Sequence, residues 1–67
     1  MNEMELRGEM ARQGFTVAKL AESIGIGKKA MSAKLTGKSD FRQSEIKKIS
    51  TVLKLDNARI IAIFFAA

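Results

Sequence analysis

Three glycines, Gly14, Gly25 and Gly37, cut the first half of this 67-residue chain at intervals of eleven and twelve residues. Glycine most readily takes the left-handed turn that closes a helix, so this spacing predicts short helices separated by tight turns. No segment shows the alternation between turn residues that marks a β-hairpin. The reading is an all-α fold of five short helices, one unit over residues 1–67. A chain this short buries only ~60% of its unfolded surface. With neither cysteine nor histidine, it has no disulfide and no Cys/His zinc site to staple it. Its stability has to come from close packing, with help from association.

The first helix is expected from about Met4 to Gln13, with Leu6 and Met10 on one face and acidic residues near its start. Gly8 inside it costs ~1 kcal/mol relative to alanine, so tertiary packing must support it. Thr16 is suited to cap a second helix, Val17 to Ile24, whose Leu20, Ala21 and Ile24 share a face. A third runs from about Lys28 to Thr36, with Met31 and Leu35 inward and Gly37 behind it. A fourth spans about Gln43 to Lys54, with Ile46, Ile49 and Leu53 inward. Asp56 caps a fifth that reaches Phe65, with Ile60, Ile61, Phe64 and Phe65 in one stripe. That segment holds more large apolar residues than a small core needs. Ile63 is expected outside the core, and Ile60, Ile63 and Phe64 are the candidate interface residues.

Charge is unevenly spread. Residues 28–54 hold eight lysines and arginines against Asp40 and Glu45, whereas residues 1–27 carry a balance of −1. A basic middle in a small domain points to a polyanion, with nucleic acid as the first choice. The N-terminus lacks the apolar run of an export signal, and the longest apolar stretch, Ile60 to Ala67, is far shorter than the ~20 residues that span a bilayer. Gly25 to Ala30 spells G-x-G-x-x-A, but it follows a helix in a chain too short for the βαβ unit that gives this fingerprint its meaning. The scattered carboxylates suggest no acid–base pair, and Glu5 and Glu9 read as a solvated helix face. No enzyme activity, cofactor, metal or small-molecule ligand is expected.

Thr16 to Gly37, TVAKLAESIGIGKKAMSAKLTG, is the decisive stretch. Two short helices meet at a glycine turn, which sets them at a steep angle and lets the second project from the body. This segment resembles the helix-turn-helix of the lambda-repressor-like family, the Cro/CI or XRE type. The resemblance extends from about Leu6 to Phe65 through Leu20-Ala21, Gly25-Ile26-Gly27, Ser32, Thr36-Gly37-Lys38, Phe41 and Ser44 to Ile49. It implies a third helix in the major groove of double-stranded DNA. Lys28, Lys29, Ser32 and Ala33 would then face the bases, while Thr16, Val17, Thr36, Lys38 and Arg42 would follow the phosphates.

The resemblance also implies a small temperate-phage regulator in the cytoplasm of a bacterial host, paired as a homodimer through the fifth helix. Three features depart from the family pattern. Val17 stands where many members carry glutamine, and Gly27 stands where Ser or Thr often caps the recognition helix. The base-facing set has lysines but no Arg, Asn or Gln for bidentate readout. Val17, the base-facing set and the apolar C-terminal stretch support an alternative, a modulator of repression that binds a cognate repressor protein through the same fold.

Overall fold

The computed structural model of the protein describes residues 1–65. Five α-helices follow one another: α1 Glu3–Arg12, α2 Val17–Ile24, α3 Lys28–Leu35, α4 Gln43–Val52 and α5 Asn57–Ile60. The last continues as a π-helical turn, Ile61–Phe65. Among the described residues there is no strand, and no helix is long and apolar enough to cross a membrane. The fold is all-α, as the glycine spacing predicts.

Helix starts follow from short polar side chains. Asn2 Oδ1 accepts the Glu5 N–H at 3.2 Å, Thr16 Oγ1 accepts that of Lys19 at 3.1 Å, and Asp56 Oδ1 accepts that of Arg59 at 2.8 Å. Each satisfies one of the donors that a helix leaves unpaired in its first turn, worth ~1 kcal/mol. Helix ends share another device. After α3, Lys38 N–H donates to Ala33 C=O at 2.9 Å and Gly37 N–H to Lys34 C=O at 3.4 Å, with Gly37 at φ 84°. This pair of bonds requires a left-handed residue just beyond the helix. The same pair closes α1 at Gly14, α2 at Gly25 and α4 at Lys54. Lys54, at φ 55°, is the one left-handed residue here that is not glycine. For a residue with a Cβ, that conformation costs about 1–2 kcal/mol. It also ends α4 at Val52, two residues short of the expected boundary.

The core draws on every helical layer. Leu6 and Met10 come from α1, Leu20, Ala21 and Ile24 from α2, Met31 and Leu35 from α3, Ile49 from α4 and Leu53 from the residue that caps its end. Each fully buried leucine or isoleucine contributes about 1.5–3 kcal/mol of apolar transfer. Ile46, expected inward, is only partly buried at the edge.

The C-terminal segment corrects the sequence reading. Ile63 is fully buried, and Phe64 is buried edge-on against Phe41, with ring centroids 5.7 Å apart. Ile60 is half-buried, while Ile61 and Phe65 face solvent at 57% and 62% exposure. The buried set Ile60, Ile63, Phe64 follows i, i+3, i+4 spacing, the pattern of one helix face. The first residues select this face: Asn2 N–H donates to Ile63 C=O at 2.6 Å and holds the segment against α1. Ile63 and Phe64 are therefore core, and the exposed apolar pair is Ile61 with Phe65.

Glu5 and Glu9 are likewise not just a solvated face. Arg59 reaches from α5 to both, at 2.7 Å and 3.1 Å, and links the last α-helix to the first. Gln13 Nε2 donates to Leu53 C=O at 2.8 Å, so the chain after α1 also closes over the end of α4.

Candidate nucleic-acid interface

Alanine and glycine bring α2 and α3 together. Ala21, nearly fully buried, accepts the Ile26 N–H at 3.0 Å through its carbonyl, so α2 ends within the turn that launches α3. Gly25 sits at φ 81° in that turn. Met31 and Leu35 anchor the inner face of α3 in the core. By helical spacing, Lys29, Ser32, Ala33 and Thr36 lie together on another face. They line one shallow surface groove with Lys38.

The N-terminal end of α3 is open. Gly27 occupies the cap position in extended conformation and offers no side-chain acceptor, and the first helical bond is Met31 N–H to Gly27 C=O at 2.9 Å. The N–H groups of Lys28, Lys29 and Ala30 thus have no partner within the helix. Both lysine side chains are exposed and make no ion pair among the described residues. Helix dipole, free N–H groups and two ammonium groups add to one positive field, suited to phosphate oxygens or guanine acceptors.

The other candidate residues differ in what they present. Ser32 and Ala33 are half-buried, small, and leave room for close approach. Lys38 and Arg42 are exposed and free of ion pairs among the described residues. Thr36 is exposed, but its Oγ1 donates to Ser32 C=O at 3.0 Å and its N–H bonds the same carbonyl. Thr36 can therefore accept a hydrogen bond but has no proton free for a phosphate. Thr16 is exposed, with its oxygen engaged as the α2 cap. Val17 is half-buried against the core, so its side chain serves packing. Only its N–H, in the first turn of α2, is left to meet an anion.

One member of the basic middle leaves the solvent-facing set. Lys34 Nζ pairs with Glu45 Oε1 at 2.5 Å, both side chains being only about one-tenth exposed. The same oxygen accepts Arg42 N–H at 2.8 Å, so one carboxylate caps α4 and ties it to α3. The Lys34 hydrogen bond holds the Glu45 carboxyl below its ordinary range, with the Arg42 N–H helping and burial opposing. This brace went unnoticed in the sequence. Glu45 three residues after Arg42, at the start of an apolar-periodic segment, is the acidic half of a capping box and was the available signal.

Residues 5–62 match the family model described as the Cro/C1-type HTH DNA-binding domain. The chain belongs to that family. No curated protein and no solved structure matches it. The matched range takes in all of α2, the turn and α3, and reaches from α1 into the last helical turn. As a Cro/C1-type domain the protein is a DNA-binding regulator.

Proposed function

We propose that this Cro/C1-type domain regulates transcription as a small phage-type, Cro-like protein. It occupies operator DNA with α3 in the major groove. The observation that carries the reading is the uncapped start of α3, where three free N–H groups adjoin Lys28 and Lys29. Lys28, Lys29, Ser32 and Ala33 meet the base edges. Lys38, Arg42 and the N–H at Val17 hold the phosphates. Lysine is a point charge rather than a planar fork, so affinity exceeds discrimination between bases. Two copies pair through Ile61 and Phe65. So small an apolar patch falls well below the ~1,200 Å² of a stable interface, and pairing is strong only on DNA.

A second reading, a modulator that binds a cognate repressor, draws support from the same exposed pair and from the lack of a polar side chain at Val17. The experiment is a titration of duplex DNA from the region upstream of the protein's own gene. Lys28→Ala and Lys29→Ala should each weaken binding severalfold while the unfolding midpoint stays unchanged, because both side chains are exposed. Wild-type protein that ignores DNA at low salt but binds a repressor would favour the second reading.

A further inference from the structure

Between α4 and α5 runs an open groove of about 760 Å³ that shares no residue with the groove beside α3. Ile46, Leu55, Ile60 and Phe65 form its apolar lining, and Lys47 and Lys54 are also on its wall. Both lysines are exposed, and neither is ion-paired among the described residues. Asp56 is the one acidic residue lining it, and its carboxylate already accepts the Arg59 N–H. The groove is therefore an apolar strip with a positive rim.

Lys54 gives this groove independent weight. Among the described residues four helix ends use the same left-handed closure, and three of them use glycine. The fourth keeps a lysine in the strained conformation, on the wall of this groove. Lysine costs more in this conformation than glycine would, which directs attention to what its side chain does. The side chain supplies half of the positive rim.

We propose that the α4–α5 groove is a docking site for an acidic amphipathic helix of a different protein. The partner's apolar residues at i, i+4, i+7 spacing enter between Ile46, Leu55 and Phe65, and its flanking carboxylates meet Lys47 and Lys54. Charge selects this occupant over a second copy of the chain. A two-fold interface presents the same patch from both sides, so self-pairing along the groove would set one positive rim against another. Because Phe65 lines the groove, the partner competes with pairing through Ile61 and Phe65. Its arrival would lower occupancy of DNA that depends on pairing.

The test is a nuclear magnetic resonance titration of the full chain with two synthetic helix-forming peptides. Both carry leucines at i, i+4, i+7, one flanked by glutamates and its twin by lysines. The glutamate peptide should shift the amides of Ile46, Lys47, Thr51 and Lys54, and the lysine twin should not bind. Lys54→Gly should weaken the glutamate peptide about threefold, the scale of one exposed ion pair, while raising the unfolding midpoint and leaving DNA affinity unchanged. The proposal fails if the glutamate peptide leaves those amides unmoved, if the twin binds equally, or if Lys54→Gly has no effect on the peptide. It also fails if Lys54→Gly weakens DNA binding, which would assign the lysine to phosphates. Shifts at Lys47 and Lys54 with protein concentration alone would assign the groove to a second copy and overturn it too. The peptide outcomes do not depend on whether α3 reads an operator; only the check on DNA affinity rests on that reading.

Discussion

Replacing Glu45 with glutamine separates the charge of the α3–α4 brace from its shape. Glutamine keeps an oxygen for the Arg42 N–H, now bonded at 2.8 Å, and removes the negative charge that faces Lys34. The Lys34 ammonium, about one-tenth exposed, is then left without its counter-ion. Removing one member of a fully buried pair costs about 3–5 kcal/mol, whereas exposed pairs contribute ~0–1 kcal/mol. This pair lies at the edge of a very small domain, where water still reaches both groups. We expect a loss of about 2 kcal/mol at neutral pH, which in a domain of this size lowers the unfolding midpoint by roughly 10 °C. The difference should depend on pH. The folded-state pKa of Glu45 lies below its unfolded value, so the stabilisation is complete above the unfolded value of ~4.3. It is lost as pH falls through the folded value. Thermal unfolding followed by circular dichroism from pH 7 to pH 3 measures this, with wild type and Glu45→Gln converging at the acid end. Adding Lys34→Met to Glu45→Gln should recover part of the loss, because the stranded ammonium goes while its stem remains. Equal midpoints at pH 7, or a gap that stays constant to pH 3, would refute the argument.

Gly37→Val should cost about 2 kcal/mol in chemical denaturation, from conformational strain, since no atom beyond its own chain neighbours lies within 4 Å of the new Cβ. Ile63→Asp should unfold the domain, because it strands a carboxylate at a fully buried position. Ile61→Asp, on the exposed side of the same turn, should leave the midpoint nearly unchanged and weaken only association on DNA, read by sedimentation with and without duplex.

Legibility in the sequence followed the range of the interactions. Thr16 and Asp56 bond to N–H groups three residues away, and Gly25 and Gly37 close helices within six residues, so local spacing was enough to find them. Lys54 was misread because a lysine carries no signal for a left-handed turn. Five large apolar residues in six positions allow more than one buried face from Ile60 to Phe65. The choice was made by Asn2 and α1, more than fifty residues away in the chain. Arg59 with Glu5, and Lys34 with Glu45, escaped for the same reason: charge counting sees the groups but not the folded distances between them. At the candidate interface, the helix, its turn and its exposed lysines were readable. The engaged hydroxyl of Thr36 and the packed side chain of Val17 were not, because each depends on how the helices are closed and seated.

In the proposed function, α3 and its flanks hold duplex DNA through a small set of free cations. Lys28, Lys29, Lys38 and Arg42 qualify, and Lys34 does not, because Glu45 engages it. These four cations per chain, Lys38 and Arg42 on phosphates and Lys28 and Lys29 in the groove, each displace about one condensed counter-ion, so log affinity falls with log salt at a slope of about −3.5. Fluorescence anisotropy of wild-type protein on labelled operator duplex, repeated across a salt series, measures that slope directly. The expected result is steep, near-linear weakening with this slope for each bound chain, and a slope shallower by about one for Lys29→Ala. Salt-independent binding, or no binding at low salt, would contradict it.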